Sequence, residues 1–471
     1  MNAVSSSSRR RIYTDLLLGP IAFHGKEVDI LDTAEMARLA ELKQLSTVYL
    51  FHPHAIHTRW HHSIGVAGII KFFLDAQPPE TKVERDDELL LICAALAHDF
   101  GHPAWCHVGE VFAQLRGYKL KHDEISAELV MGNPSYEEYF EEWGLKRISD
   151  IVSNDRDRNM IADLIRGDPP IPPRDKKRKL TENEKDEIEK IKRQKTFMGN
   201  MIKGPADFDR AEFLMRDSFM SSSLPGLIDV RRIAENLGIV EEKVTKTKLL
   251  AYVNLNFAEA MMTARELLYP GVYLENHNLV AEELLIRCLN KAYPQDLDIF
   301  KFWFSTDEEV MNKLHEAAKN DQFINKVCRL MRAHRTFNLV SEVTLSDPRL
   351  DRLSRENIKY LGSKEGRHKI LELEEDVRKN LKQSNLAIGN CDFVIGCWLW
   401  GKPGITEAPL VIRNKLSTVS MESRLLEVLE TERYVNSRSK LIIGAHQDVA
   451  DPNRLIEATL KALQSKSYVR E

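Results

Sequence analysis

Cysteine is scarce and scattered in this chain, with six thiols among 471 residues: Cys93, Cys106, Cys288, Cys328, Cys391 and Cys397. None stands in a CxxC spacing, which argues against a zinc knuckle and a disulfide framework and leaves free thiols in a reducing cytosol. Long apolar runs are missing too. A bilayer-crossing helix needs roughly 18 uninterrupted apolar residues, and no such stretch occurs. Met1 to Arg11 carry serines and arginines where a secretory signal has its hydrophobic segment. The expectation is a cytoplasmic protein that meets no membrane. Nor does one charge dominate: 67 basic and 71 acidic residues leave a net −4, which forecasts neither a nucleic-acid coat nor a membrane-surface binder.

What the sequence does have is helical periodicity, over a length exceeding one typical domain. Between Asp29 and Leu45, Leu31, Met36, Leu39 and Leu42 recur at helical spacing, with Asp32 or Thr33 as a cap. Residues 61–76 put His62, Gly65, Val66, Ile69 and Phe73 on one face; residues 86–98 do the same with Leu90, Leu91, Ala94, Ala95 and His98. Two successive helices therefore each turn a histidine inward. Helical patterns resume from Gly204 to Tyr293, including 207–218 and 249–268. Before them, four prolines from Pro169 to Pro173 lead into Arg174 to Lys179 and a mixed-charge run. Segment 168–195 reads as an exposed charged insertion, mobile or a solvated helix, and the acids directly behind its basic cluster favour solvation over phosphate binding. The last third is less regular. Residues 392–400 and 408–412 resemble two strands joined by a Gly/Pro turn, and 440–444 is a further strand candidate. The expected fold is mainly α, a helical core with a smaller C-terminal α+β region containing a short antiparallel strand pair. Its divisions are a disordered N-terminus (1–10), a core (11–300) and the C-terminal region (301–471).

The chemistry concentrates at His98-Asp99. An imidazole and a carboxylate side by side at a helix end can hold one hard or borderline divalent cation, and Gly101 just beyond them opens the site. The dipeptide alone is common, and a lone inward histidine such as His62 is ordinarily a packed core residue. Their separation by one helix and loop turns both toward a metal, and Asp209 completes an H…HD…D order. Two imidazoles and two carboxylates leave positions open on a six-coordinate ion, which suits phosphate-ester hydrolysis.

The pattern around these residues extends much further. It runs through Asp32-Thr33, Arg38-Leu39 and Lys43-Gln44-Leu45, then Arg59-Trp60-His61-His62-Ser63-Ile64-Gly65-Val66 and His98-Asp99-Phe100-Gly101-His102. It continues through His107, His122, Asp209-Arg210, Arg216-Asp217, Arg265, Tyr269 and Tyr273. This order resembles the HD-domain deoxynucleotide triphosphohydrolases, the group of the animal dNTPase with a sterile alpha motif (SAM) domain and of bacterial dGTPase-like proteins. The resemblance implies an HD-domain helical core and removal of the whole triphosphate from a deoxynucleotide. The products are a deoxynucleoside and tripolyphosphate, in control of dNTP supply or in antiviral defence. It implies a divalent metal (magnesium, manganese, iron or similar) on His62, His98, Asp99 and Asp209. His107 with Glu110, and His122, fall on proton donors beside the scissile phosphate. Arg59, Arg210 and Arg265 fall on phosphate-binding cations, and Gln44, Leu45 and Tyr273 on residues that line the sugar. A homo-oligomer and a nucleotide activator are implied as well.

Departures from the pattern narrow these implications. Phe213 stands where the family often has a tyrosine that bonds phosphate, which leaves that bond to Tyr269. Ala37, Ala40 and Thr14 replace polar residues of the animal enzyme's guanine-nucleotide activator site, so an activator of that type is not expected. No SAM domain is recognisable ahead of the core. Two alternatives share the metal quartet: another HD phosphohydrolase, either a 5′-nucleotidase or a signalling-nucleotide phosphodiesterase, and a nucleotide-binding regulatory HD protein without catalysis.

Overall fold

The structure, a computed structural model, describes residues 9–172, 181–223, 232, 235–383, 393–401, 407–413, 415–449 and 451–469. It is mainly helical, as the periodicity predicts, with three small sheets among the described residues. Residues 1–8 lie outside the described residues. Order begins within the stretch expected to be disordered: Arg9 pairs with Asp29 and Asp32, and Arg10 starts the hairpin of β1 (Arg10–Asp15) and β2 (Gly19–His24). The helix expected over 29–45 is two, α1 (Lys26–Leu31) and α2 (Ala34–Leu39). Thr33 caps the second by accepting from the Met36 amide at 3.4 Å. The apolar spacing looked continuous because both helices bury their faces in one core.

The helices α3 (Arg59–Asp75) and α4 (Arg85–Ala97) pack on each other at the centre. Residues 62–70 of α3 and 90–97 of α4 are all buried, the mark of a helix covered on every side. Around them lie α5 (His107–Leu115), α6 (His122–Met131), α7 (Ile148–Ile151), α8 (Asp155–Arg166), α9 (Glu182–Ile202) and α10 (Phe208–Met220). The basic cluster Arg174 to Lys179 lies outside the described residues. From Glu182 the charged segment is helix α9, started by a reciprocal Thr181/Glu184 capping box. Its charged first half faces water, while Phe197, Met198, Met201 and Ile202 are buried.

Two expectations are corrected downstream. The first four residues of 249–268 are strand: β3 (Leu237–Glu241) pairs antiparallel with β4 (Lys248–Tyr252), and the expected helix begins at Leu255 and runs to Leu268, capped by Asn254. A short apolar run such as Leu249-Leu250-Ala251-Tyr252 serves either state, and tertiary pairing decides. The strands β6 (Phe393–Trp398) and β7 (Pro409–Ile412) do not pair with each other. β6 lies against β9 (Lys440–Ala445), which also pairs with β5 (Asn338–Thr344); β7 joins β8 (Lys415–Thr418) and touches β4 at Leu410 beside Tyr252. Burial accounts for the exchange. β6 and β9 are apolar on both faces, Phe393, Ile395, Leu441 and Ile443 toward a C-terminal core and Val394 and Ile442 toward the main one. β7 buries only Leu410. The main core runs on past residue 300 through the helices Asp307–Ala317 and Gln322–Arg332 to Phe337 and takes in Val394, Leu410 and Ile442 from the C-terminal region.

One buried cation ties this continuation to the loop after α4. Arg38, with no exposed surface, donates to the carbonyls of Trp303 (2.7 Å), Phe304 (2.7 Å), Ser305 (3.0 Å) and His102 (2.9 Å). Trp303 Nε1 donates to Gly101 O at 2.7 Å, and the Asp307 carboxylate accepts from the amides of Lys43 and Trp105 at 2.9 and 2.7 Å. Burial pulls the Arg38 guanidinium down to about 10, which leaves it charged at neutral pH. An Arg38→Met variant strands four carbonyls in the interior. It is expected to lose on the order of 3–5 kcal/mol of stability in urea denaturation; a loss below about 1 kcal/mol contradicts the role given to Arg38 here.

Candidate metal centre

The sequence places its ligands at helix ends for a physical reason. Side chains in the first turn of a helix, or just past its last, project from the bundle's layers into the space between them. His62 sits in the first turns of α3, His98 is the C-cap of α4 with Asp99 following, and Asp209 lies in the first turn of α10 behind the N-cap Asp207. Their atoms converge. His62 Nε2 is 3.0 Å from Asp209 Oδ1, 3.3 Å from His98 Nε2 and 3.8 Å from Asp99 Oδ2; His98 Nε2 is 3.5 Å from Asp99 Oδ1 and 3.8 Å from Asp209 Oδ1. The two histidines and Asp99 are buried, while the Asp209 side chain is 37% exposed and marks the open side.

The surrounding hydrogen bonds show that this cluster fits a cation. His98 Nδ1 lies 2.8 Å from the Ala95 carbonyl and His62 Nδ1 2.5 Å from a Glu212 carboxylate oxygen. Both partners only accept, so each Nδ1 carries a proton and each Nε2 is left to face the cluster. Without a cation, a second proton on His62 Nε2 bridges to Asp209 at 3.0 Å, the place a metal ion would take. Burial pulls the His62 imidazole down, but Glu212 and Asp209 outweigh it and push the group up to about 10. That field draws in a divalent cation, and a mixed N/O donor set suits one. Glu212 is fully buried and held by Arg216, which reaches Asp15 at 2.8 Å. It approaches α3 so closely that a Cβ on Gly65 would stand 2.1 Å from Glu212 Oε1. Gly101 permits an equal approach of α6, where a Cβ would meet His122 O at 2.2 Å.

Arg59 and the histidines of α5 and α6 adjoin the cluster. Arg59 is 4% exposed; its Nη1 donates to Asp99 Oδ2 at 2.6 Å and its Nε to Cys106 Sγ at 2.9 Å, while its Nη2 has no hydrogen-bond partner among the described residues. Glu110 bridges His107 and His122, at 3.0 Å to His107 Nδ1 and 2.6 Å to His122 Nδ1. The His107 side chain is 73% exposed and that of His122 33%. Burial pushes Glu110 up, yet the bonds from the two imidazoles hold it well below the usual carboxylate range. Burial pulls His122 down, and the bond and charge of Glu110 outweigh this to raise it. His102 stacks on His122 with centroids 3.8 Å apart and lies 3.2 Å from Asp99 through Nε2. Asp99, His102 and His122 form a second converging group beside the first.

The remaining expected residues divide. Gln44 and Leu45 are buried, and Gln44 Oε1 has no partner among the described residues. Arg265 stacks over Tyr269 at 4.4 Å and Trp400 at 5.5 Å; Tyr269 meets Tyr273 edge-on, and the Tyr273 hydroxyl donates to Asp217. Phe213 packs edge-on against Tyr273 at 6.4 Å. Arg210 turns toward the carbonyls of Gly204 and Pro205, at 3.4 and 3.1 Å, and pairs with Asp207 at 3.6 Å, with Asp209 and Tyr269 near enough to raise its pKa. Sequence reasoning assigned no role to Glu212, His102, Cys106, Asp217 or His57, which bonds Asp217 at 2.8 Å. Glu212 stands three residues after Asp209 and so shares its helix face, the one signal that pointed to it. His102 stands three residues after Asp99 and meets it at 3.2 Å; Cys106, Asp217 and His57 are joined to the site by tertiary contact.

Known proteins match this chain in the same regions. A model of the HD domain matches residues 59–194 and one of the HD associated region residues 228–347. An uncharacterised protein of Methanocaldococcus jannaschii is 27% identical over 301 residues, 64% of this chain and 52% of its own length. The bovine deoxynucleoside triphosphate triphosphohydrolase SAMHD1 is 22% identical over 440 residues, 86% of this chain and 72% of its own. This chain spans about half the length of the curated relatives it matches first. Among solved structures, a phosphohydrolase from Bacteroides thetaiotaomicron superposes with a TM-score of 0.66 at 18% identity, covering 93% of this chain and all of that one, a likeness of fold.

The Glu110 bridge yields a direct test. Because His122 is raised by Glu110 against the pull of burial, a Glu110→Gln variant is expected to titrate His122 at a lower pH than the wild type, followed by NMR of the imidazole protons. An unchanged midpoint contradicts the bridge.

Proposed function

Because this chain belongs to the HD-domain family, an HD domain followed by its HD-associated region, we propose that it hydrolyses deoxynucleoside triphosphates to deoxynucleoside and tripolyphosphate. The supporting observation is the convergence of His62, His98, Asp99 and Asp209 beside the buried guanidinium of Arg59. Those four residues would hold a divalent ion of the magnesium, manganese or iron kind, which when bound acidifies water and polarises a phosphate oxygen. Arg59 holds the phosphate through its uncommitted Nη2, neutralising charge that grows on the non-bridging oxygens. Hydrolysis at the α-phosphorus breaks the bond to the 5′-oxygen. His122, kept protonated by Glu110, delivers its proton there, and the exposed His107 shares that carboxylate. Gln44, Leu45, Tyr273 and Asp217 wall the sugar, and Arg265, clamped by Tyr269 and Trp400, takes the distal phosphates. Arg210 must leave Gly204 and Pro205 to assist. That orientation favours, as the second reading, an HD phosphohydrolase of monophosphates, which needs fewer cations.

The full chain, incubated with each deoxynucleoside triphosphate singly and in mixtures with Mg²⁺ or Mn²⁺, is expected to release deoxynucleoside and tripolyphosphate, resolved by chromatography. Monophosphate with pyrophosphate, or orthophosphate released only from monophosphates, overturns the substrate assignment. The mixtures report activation by a second nucleotide. A His122→Ala variant is expected to lose roughly 10²–10⁴-fold in kcat while its metal content stays at the wild-type level; an unchanged kcat contradicts the proton-donor role.

A further inference from the structure

One concavity among the described residues shares no lining residue with the metal cluster. It has a volume of about 790 Å³ and opens between the turn before the helix Gln322–Arg332 and the end of β9. That helix is divided lengthwise. Phe323, Ile324, Val327, Cys328 and Met331 are buried, whereas Gln322, Lys326, Arg329 and Ala333, at i, i+4, i+7 and i+11, line the cavity on one face. Lys319 precedes the helix, His446 closes the far side, and Arg335 is brought in by the backbone. His334 adopts a left-handed conformation at φ 52°, its amide donating to Met331 O at 3.0 Å and that of Arg335 to Leu330 O at 2.9 Å. This ends the helix and sets Arg335 beside Arg329 at the cavity, in a conformation that histidine adopts rarely.

The cavity is strongly cationic in a chain of net charge −4. Four Lys and Arg side chains stand against a single lining carboxylate, Asp321, and that one is paired with Lys291 at 2.9 Å, while the lining His446 is paired with Asp448 at 2.9 Å. Among the described residues, Lys319, Arg329 and Arg335 make no ion pair. Favourable interaction with the helix's C-terminal end accounts for Arg329, but not for Lys319, Lys326 and Arg335 converging on the same space. The other polar lining residues are three side-chain amides, which also donate. Charge of one sign in a concavity focuses its field on a counter-ion, and arginine forks match phosphate oxygens. The apolar part of the wall is Ala318, Leu330 and Ala333; no Phe, Tyr or Trp lines it, and the His446 ring is engaged edge-on by Phe337.

We propose that this cavity binds a small, multiply charged phosphate anion, recognised by its phosphates and not by a base. The proposal stands independently of the activity at the metal cluster. The probe is inorganic tripolyphosphate, titrated calorimetrically into the full chain at 0.15 M salt. Wild type is expected to show a binding event that an Arg329→Glu, Arg335→Glu variant weakens at least tenfold and Arg329→Gln, Arg335→Gln weakens less. Both variants change exposed residues and are expected to melt near the wild-type temperature. Two events in the wild type, one surviving in the variant, support this cavity together with a tripolyphosphate-binding metal site; a single event abolished in the variant supports the cavity while weakening the proposed hydrolysis. Identical isotherms for wild type and both variants overturn the proposal. So does a labelled single-stranded oligonucleotide that binds through Arg329 and Arg335 where tripolyphosphate does not, since the ligand would then be a nucleic-acid backbone.

Discussion

The structure depends on bringing metal-binding groups together where one cation can reach them all. Two imidazole nitrogens and the oxygens of two carboxylates converge inside a helical bundle, His62 Nε2 standing 3.0 Å from Asp209, 3.3 Å from His98 and 3.8 Å from Asp99, an arrangement that needs a proton or a cation between its members. Such a centre cannot be assembled by local structure. The four ligands come from three different helix ends, so the bundle must be rigid before the chemistry exists. The all-round burial of α3 and α4 supplies that rigidity, since close-packed helices transmit small displacements rather than absorb them.

A network of buried charge carries the same constraint outward. Glu212 fixes the tautomer of His62, Arg216 holds Glu212, and Asp15 on the N-terminal hairpin completes the chain. On the other side, Arg38 and Asp307 fasten the loop bearing Gly101 and His102 to the continuation of the core. Removing one partner from such a network leaves an uncompensated buried charge, which costs far more than the pair contributes. The glycines at 65 and 101 belong to this geometry. They are absences of side chain where a carboxylate on one side and a helix backbone on the other come too close for a Cβ.

Much of this was legible in the residues. Periodicity placed α3, α4 and α10 to within a few positions, and the H…HD…D order named four residues that the fold brings together. Pattern failed where tertiary pairing overrides local preference. Leu249 to Tyr252 suited a helix as well as the strand it forms, and β6 and β7 looked like a hairpin although β6, apolar on both faces, needed a neighbour with cores on either side. Glu212 and Asp217 stayed without roles because their partners His62 and His57 lie 150 and 160 residues away, a separation that leaves no mark on spacing.

The most direct test of the account is where a metal ion sits. Crystals of the full chain grown with Mn²⁺ and measured at the manganese absorption edge should give an anomalous peak about 2.0–2.6 Å from His62 Nε2, His98 Nε2 and oxygens of Asp99 and Asp209. A principal peak held instead by Asp99, His102 and His122, or no peak within this cluster, would contradict it.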